Sequence, residues 1–343
     1  MKKLLFSLVL AATAIAANAT VRTVNNGTVS AGQYTTVQAA VDVSKAGDTI
    51  YIHGSQTSYG NVTLNKRLVL MGAGHSVTGT QFNFQTRLDY IYFSQGNSTT
   101  LPTGSTIKGI SSYGVYGSGG SLAVNNITLE RNYFDGGGGP LQVLGTGWIC
   151  RNNFVGYISI NNFKNTIISN NVITSYISTS NQPSVIITNN IFLNSAYFGS
   201  VSYATVTNNI FLNPAFANFN GTQNTWNKNI MIYSDPANYK TFPPANNTGV
   251  GNLNTVDEQF TTTIPLDISL ANAPKQDWIL ATTSIGFKYG TDGTDVGIYG
   301  GSYPMPNMTG APNIPQITSM DIQNSVIPQN GTLSIELKAR GQK

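Results

Sequence analysis

Charged residues recur in this sequence at a spacing that would place them on one surface. Glu130 and Arg151 each stand two residues before a recurring asparagine, and upstream extension of the pattern adds Lys108 and then Asp89, at intervals of 19 to 22 residues. On one face their signs would alternate. β-Elimination from a uronate needs a cation to neutralise the carboxylate and a base to remove the C5 proton. The sequence therefore predicts Lys108, Glu130 and Arg151 as catalytic residues acting on an acidic polysaccharide.

Neighbouring charges would complete such a site, and we predict Arg131, Asp135 and Asp89 as substrate-binding residues. A glycoside hydrolase instead needs two carboxylates about 5 to 9.5 Å apart, for which Glu130 and Asp135 are the nearest pair in sequence. A third interpretation is a ladder of ion pairs between coils, each exposed pair worth about 0.2 to 1 kcal/mol. Asp135 also begins the glycine run 136–139, where turn formation is its alternative role.

Metal ligands are sparse. Between residues 100 and 250 the acids are Glu130, Asp135 and Asp235, too few for an obvious calcium cage. There are two histidines: His53 ends a predicted strand and His75 follows Gly72-Ala73-Gly74, and both are interpreted as turn residues. Residues 292–295 contain two acids, and a turn at the end of the coil is favoured there over a calcium loop. No metal-binding residue is predicted.

Aromatic side chains are plentiful between residues 90 and 157. They are Tyr90, Tyr92, Phe93, Tyr113, Tyr116, Tyr133, Phe134, Trp148, Phe154 and Tyr157. Some must lie in the core, whereas those that point outward offer flat faces on which sugar rings stack. This supports glycan binding with or without turnover.

The elements that position these groups follow from a repeat. An asparagine followed by a hydrophobic pair recurs at 132, 153, 171, 190, 209 and 229, and three residues earlier stands an apolar residue each time, Leu129, Cys150, Ile168, Ile187, Val206 and Trp226. A fixed period of this length predicts a solenoid, and fits neither a leucine-rich repeat nor a propeller. Stacked coils would set the asparagines in a ladder of mutually bonded amides, so we interpret them as structural.

The repeats are preceded by a short predicted helix. Hydroxyl residues stand before an apolar face formed by Val37, Ala40 and Val41, and Gly47 ends the pattern. Residues 48–53 then alternate as a strand does, with Ile50 and Ile52 on one side. A helix here would cover the open end of the solenoid.

The segment 34–74, with "TTVQAAVDVSKAGDTIYIHG" and "GNVTLNKRLVLMGAG", the later "ITNNIF" and the closing "DGTDVGIYGG" resemble secreted bacterial proteins of the pectin lyase-like superfamily. The resemblance covers residues 30–301 and implies an all-β fold, a right-handed parallel β-helix with a short N-terminal capping helix. The superfamily includes polysaccharide lyases, glycoside hydrolases and adhesins. Its lyases use Lys and Arg on an exposed sheet, often with calcium, so calcium is left open as a cofactor.

The ends of the chain suggest export. Residues 1–19 read as a signal peptide, with two lysines, an apolar run and a small-x-small cleavage site, rather than as a membrane anchor, for which the run is short. Without Lys2 and Lys3 the formal charge falls from +4 to +2, too balanced to suggest a nucleic-acid or membrane partner. The solenoid is expected over residues 20–302, with a Pro-rich linker and a strand pair or tail over 303–343. Cys150 is the single cysteine and is expected to pack as a small apolar group.

Two functions from different classes remain open. The first is a secreted, periplasmic or cell-surface monomer that binds, and in its enzymatic form cleaves, an acidic polysaccharide as a lyase or glycoside hydrolase. The second is a non-enzymatic extracellular adhesin or structural module. Ice binding is disfavoured because threonines do not recur on every coil of the charged column.

Overall fold

The computed structural model describes residues 19–27, 32–76, 84–95, 101–117, 123–135, 141–143, 145–160, 164–179, 184–193, 197–199, 201–214, 219, 221–257, 259–312, 316–323, 326 and 329–340. Over these residues the chain is an all-β parallel solenoid with very little helix, which confirms the predicted fold class. The strands of each coil pair in parallel with those of the next coil. The predicted signal peptide lies outside the described residues except for Ala19, and stays a prediction.

The first face of the solenoid is a ten-stranded parallel sheet. Its strands are β1 (Val21–Val24), β2 (Thr49–Ile52), β4 (Val69–Gly72), β6 (Thr106–Lys108), β8 (Thr128–Glu130), β11 (Ile149–Arg151), β14 (Thr166–Ser169), β17 (Val185–Thr188), β20 (Thr205–Thr207) and β22 (Thr225–Asn227). The predicted apolar stripe runs along its inner side, and its six members, from Leu129 to Trp226, are at most 3% exposed. The burial of these side chains holds the coils together.

The other two faces belong to one continuous sheet, because β5 (Arg87–Phe93) and β7 (Ser111–Gly117) are long enough to line both. The second face contains β9 (Tyr133–Phe134), β12 (Phe154–Val155), β15 (Val172–Ile173), β18 (Ile191–Phe192), β21 (Ile210–Leu212), β23 (Ile230–Ile232) and β24 (Leu253–Thr255). The third face contains β3 (Val62–Leu64), β10 (Leu141–Val143), β13 (Ile158–Ile160), β16 (Tyr176–Thr179) and β19 (Tyr197–Gly199). The coil is therefore three-sided.

The asparagine ladder is confirmed. Asn132 donates from its side-chain nitrogen to Oδ1 of Asn153 at 3.1 Å, and Asn153 donates to Asn171 at 3.0 Å. The same bond repeats through Asn190 and Asn209 and continues past the predicted range to Asn252. From Asn153 to Asn252, each ladder Oδ1 also accepts the backbone N–H of the preceding ladder asparagine. The ladder thus satisfies buried corner groups that would each cost about 1 to 3 kcal/mol if left unpaired.

The residue before each ladder asparagine adopts a left-handed backbone conformation. These corner residues are Arg131, Asn152, Asn170, Asn189, Asn208 and Lys228, with φ between 52° and 58°. Asparagine tolerates this region better than most residues, which explains why the corner so often reads Asn-Asn. The first asparagine makes the corner and the second forms the ladder.

The N-terminal helix is also confirmed. Helix α1 (Val37–Val43) begins after Thr36, whose hydroxyl accepts a hydrogen bond from the Ala39 N–H at 3.3 Å. Val37, Ala40 and Val41 are fully buried, as predicted. The helix packs against β1, β2 and β3 at the start of the solenoid.

After the last coil the chain turns back. Residues 259–312, which we call the return segment, pack along the outer side of the second face, where the outward side chains Phe154, Val172, Ile191, Ile210 and Ile230 are buried beneath them. The return segment contributes Trp278, Val296 and Ile298 to this second apolar cluster. Strands of the second face are therefore buried on both sides.

Contacts of the return segment correct the expected domain boundary. Residues 303–312 were expected to form a linker running off the solenoid, but Met305 is 3% exposed and Ala311 is 8% exposed. The docked region therefore extends to Pro312 instead of ending at Ser302. Asp292 forms the predicted turn, with Oδ1 accepting from the Thr294 hydroxyl at 2.7 Å, but this turn lies along the flank and not at the end of the coil.

The predicted terminal strand pair is present. Strands β25 (Gln316–Ile322) and β26 (Ile335–Arg340) pair in antiparallel orientation. The predicted alternation does not bury one side, since Ile335, Glu336, Leu337 and Lys338 are all exposed.

Candidate functional site

Lys108, Glu130 and Arg151 lie on successive strands of the first face in the predicted order, and we call them the charged column. Lys108 pairs in register with Glu130, and Glu130 pairs with Arg151. Asp89 was expected to extend this column, and that prediction is wrong: Met71 is the register partner of Lys108, while Asp89 belongs to β5 on the other sheet. The predicted trio therefore shares a face without Asp89.

Glu130 is held by two guanidinium groups. Its carboxylate lies 3.2 Å from Nε of Arg131 and 3.2 Å from a terminal nitrogen of Arg151, and all three side chains are at most 21% exposed. Burial lowers the pKa of Arg131, while the charge of Glu130 opposes this shift. Lys108 has no ion pair within 4.0 Å among the described residues. This geometry favours the ion-pair ladder for Glu130 and Arg151.

The return segment covers part of this column. The Arg151 guanidinium lies 4.2 Å from the ring centroid of Tyr303, and Asn152 donates to the Tyr303 carbonyl at 3.1 Å. A cation stacked on a ring in this way is stabilised by the ring quadrupole. Arg151 therefore has two protein partners, the Tyr303 ring and the Glu130 carboxylate.

Partly buried tyrosines cluster on the third face and its adjoining corner. We define the tyrosine face as Tyr90, Tyr92, Tyr113, Tyr116, Tyr157 and Tyr176. The ring centroid of Tyr90 lies 5.4 Å from that of Tyr113 and 5.6 Å from that of Tyr116. The centroids of Tyr92 and Tyr116 are 6.0 Å apart. Tyr157 and Tyr176 stack at 4.6 Å with an interplanar angle of 12°. The predicted division is confirmed, because Phe93, Phe134 and Trp148 lie in the core. Phe154 points outward but is buried beneath the return segment.

Coil stacking sets this arrangement. Tyr92 and Tyr116 are register partners on β5 and β7, so their rings stand one above the other along the solenoid axis. Tyr157 immediately precedes β13, and Tyr176 is the first residue of β16. These two strands pair with each other, so the two tyrosines are one coil apart. Parallel strands lie about 4.8 Å apart, which brings rings on successive coils into contact.

Charged groups border the tyrosine face at the corner between the second and third faces. The Arg87 guanidinium lies 4.8 Å from the ring centroid of Tyr113 and forms no ion pair within 4.0 Å among the described residues. Asp89 accepts a hydrogen bond from the Ser58 hydroxyl at 2.7 Å. Burial raises the pKa of Asp135, although the nearby charge of Arg87 opposes the shift.

Two of these carboxylates share one column. Register pairs place Asp89 beside Tyr113 on the next coil, and Asp135 on the coil after that. Their backbones are therefore two strand spacings apart, about 9.5 Å. Glu130 and Asp135, the pair expected from sequence, instead lie on different faces.

Sequence reasoning missed Arg87 and Tyr176. Tyr176 follows Tyr157 by 19 residues, one coil period, and that spacing was a usable signal. Arg87 carries no such signal, because the chain between the early coils varies in length. Among the residues the structure describes, no group of three or more His, Cys, Asp or Glu side chains is arranged to hold a metal ion.

No protein-family model matches the chain, and a search of curated proteins finds no similar sequence. Across the described part of the chain, no helix has both the length and the apolar character needed to cross a membrane.

Proposed function

We propose that this protein is an extracellular β-helix that binds a polysaccharide through the tyrosine face. The supporting observation is the set of partly exposed rings on successive coils, Tyr92 above Tyr116 and Tyr157 above Tyr176. Rings spaced along the axis suit a linear polymer lying across the strands, because each ring offers an apolar face to a sugar. Export by the signal peptide, and membership of the pectin lyase-like superfamily, belong to the same proposal.

Arg87 supports an acidic ligand. Its guanidinium borders the rings, and a uronate carboxylate is a suitable partner for it. Binding without turnover would make the protein an adhesin-like module, the second function that the sequence leaves open.

The binding proposal is tested with the double variant Tyr92→Ala/Tyr116→Ala. Aromatic contacts contribute about 0.5 to 1.5 kcal/mol each, so the loss of two rings should weaken binding about tenfold. The measurement is the affinity of the mature protein for pectins, alginates and glycosaminoglycans. Tyr203→Asn is the matched control, since Tyr203 is 52% exposed and has a left-handed backbone that asparagine accepts. Equal affinity in the double variant and the control would refute the proposal.

Cleavage has two candidate chemistries. In β-elimination, Lys108, Glu130 and Arg151 would act on a uronate, and absorbance of unsaturated products with and without calcium is the assay. In hydrolysis, Asp135 would protonate the glycosidic oxygen and Asp89 would take a proton from the attacking water. Inverting enzymes hold their two carboxyl groups about 6.5 to 9.5 Å apart, and the backbones of Asp89 and Asp135 are two strand spacings apart. New reducing ends that disappear in Asp135→Asn would support hydrolysis, and no product on any glycan would leave the binding function alone.

A further inference from the structure

His75 is buried beneath the end of the return segment. The residue is 4% exposed, and its Nδ1 has no hydrogen-bond partner. Its ring centroid lies 5.9 Å from that of Tyr133 and 5.4 Å from that of Phe154. An imidazole in such apolar surroundings is held in its neutral form.

The return segment forms the cover over this imidazole. Thr309 accepts hydrogen bonds from the backbone N–H of His75 at 2.8 Å and of Ser76 at 3.1 Å. Gly310 has a φ of +71° and lies so close that a Cβ there would collide with the imidazole ring. Arg131 donates to the Ala311 carbonyl at 3.4 Å. We call residues 309–311 the clasp.

The groups that face His75 offer little to stabilise an imidazolium. Tyr133 on β9 and Phe154 on β12 face the imidazole. Burial raises the pKa of the Tyr133 phenol. From the corner comes Arg131, a cation already paired with Glu130. Residues 304–312 of the return segment contain no titratable side chain. No described carboxylate forms an ion pair with His75.

We propose that the clasp is an acid-sensitive latch: protonation of His75 releases residues 309–311 from the coil and uncovers that end of the second face. Burying a charged imidazole without a partner is costly, and the clasp is the part of the cover that lies directly against the ring. This proposal does not depend on the polysaccharide function.

The pH range follows from linkage. Burial lowers the pKa of His75 from 6.5 to about 3 in the docked state, whereas the released side chain titrates near its ordinary value. Because the released state binds the additional proton, docking is at full strength above pH 6.5 and weakens as the pH falls from there toward 3. The ratio of released to docked clasp should rise up to tenfold per pH unit in this range, and about 50-fold between pH 6.5, where half of the released imidazole is already protonated, and pH 4.5.

Amide hydrogen exchange of the whole protein, corrected for the intrinsic pH dependence, tests the latch. The reporters are the His75 and Ser76 amides, which donate to the Thr309 carbonyl, and we expect their protection factors to fall about 50-fold between pH 6.5 and 4.5. Ladder amides such as Asn171 should keep their protection. Parallel loss at Asn171 would mean global unfolding and would overturn the proposal.

The variant His75→Phe keeps an aromatic ring and should remove the pH dependence, while His53→Gln, which changes the other histidine, should retain it. Persistence of the full effect in His75→Phe would contradict the latch. If that variant does not fold, NMR titration of His75 in the unaltered protein decides the question, because a pKa near 6.5 with the Ser76 amide still protected would overturn the proposal.

Discussion

Asn170 and Asn171 are adjacent in the chain but bond in different directions. Asn170 donates through Nδ2 to the carbonyls of Ile298 and Gly300 in the return segment, at 3.0 Å and 2.8 Å. Asn171 donates to Oδ1 of Asn190 on the next coil at 3.0 Å. One repeated dipeptide therefore joins coil to coil with its second residue and coil to return segment with its first.

Replacement of these two residues should have unequal effects. Asn171→Ala leaves buried partners above and below it unpaired and should lower the free energy of unfolding by about 3 kcal/mol. Asn170→Gly preserves the left-handed backbone and loses only the bonds to the return segment, so we expect a loss of about 1 kcal/mol. Urea unfolding followed by tryptophan fluorescence measures both, and equal losses would contradict the division of roles.

Glu130→Gln should destabilise the protein by about 1 to 2 kcal/mol, because Arg131 and Arg151 both lose a mostly buried partner. Lys108→Gln is the matched control on the same column, and its effect should stay within about 0.5 kcal/mol because Lys108 has no ion pair among the described residues. Similar losses in the two variants would argue against the ion-pair ladder.

Arg87→Gln should weaken binding of uronate-rich glycans about fivefold, corresponding to about 1 kcal/mol for one exposed charge contact. Neutral glycans should bind the variant and the unaltered protein equally, and the difference should shrink as salt is added. Affinity measurements at low and high ionic strength check this. A uniform loss on all glycans would show that Arg87 acts on the folding of the corner and not on ligand charge.

Cys150 should be unreactive in the folded protein. It is 3% exposed, and burial raises the pKa of its thiol to about 12, so thiolate is scarce at neutral pH. A thiol-specific reagent at pH 8 should label the protein only after denaturant is added. Rapid labelling of the native protein would contradict the inward position of this residue.

The sequence predicts the coil well because its signals are local. The apolar stripe, the ladder asparagines and the cap at Thr36 each depend on residues within one period, so spacing alone places them. The charged trio is predicted for the same reason, since Lys108, Glu130 and Arg151 are separated by coils of 22 and 21 residues.

Spacing in the sequence predicts the wrong neighbour on the next coil where the number of residues per coil changes. From Met71 to its register partner Lys108 the chain takes 37 residues, so counting back one period from Lys108 reaches Asp89 on a different face. The return segment has no period at all: its bonds to the coils join residues from 38 positions apart, as for Gly251 and Tyr289, to 234 positions apart, as for His75 and Thr309. Such pairings depend on tertiary packing, which no local pattern encodes.

The return segment also changes how the solenoid should unfold. A stack in which each coil touches its neighbours can fray from either end. Here one stretch of chain reaches from Gly251, bonded to Tyr289, to His75, covered by Gly310, and so spans most of the stack. Loss of a terminal coil then disturbs contacts many coils away, which should couple the coils into a single cooperative transition.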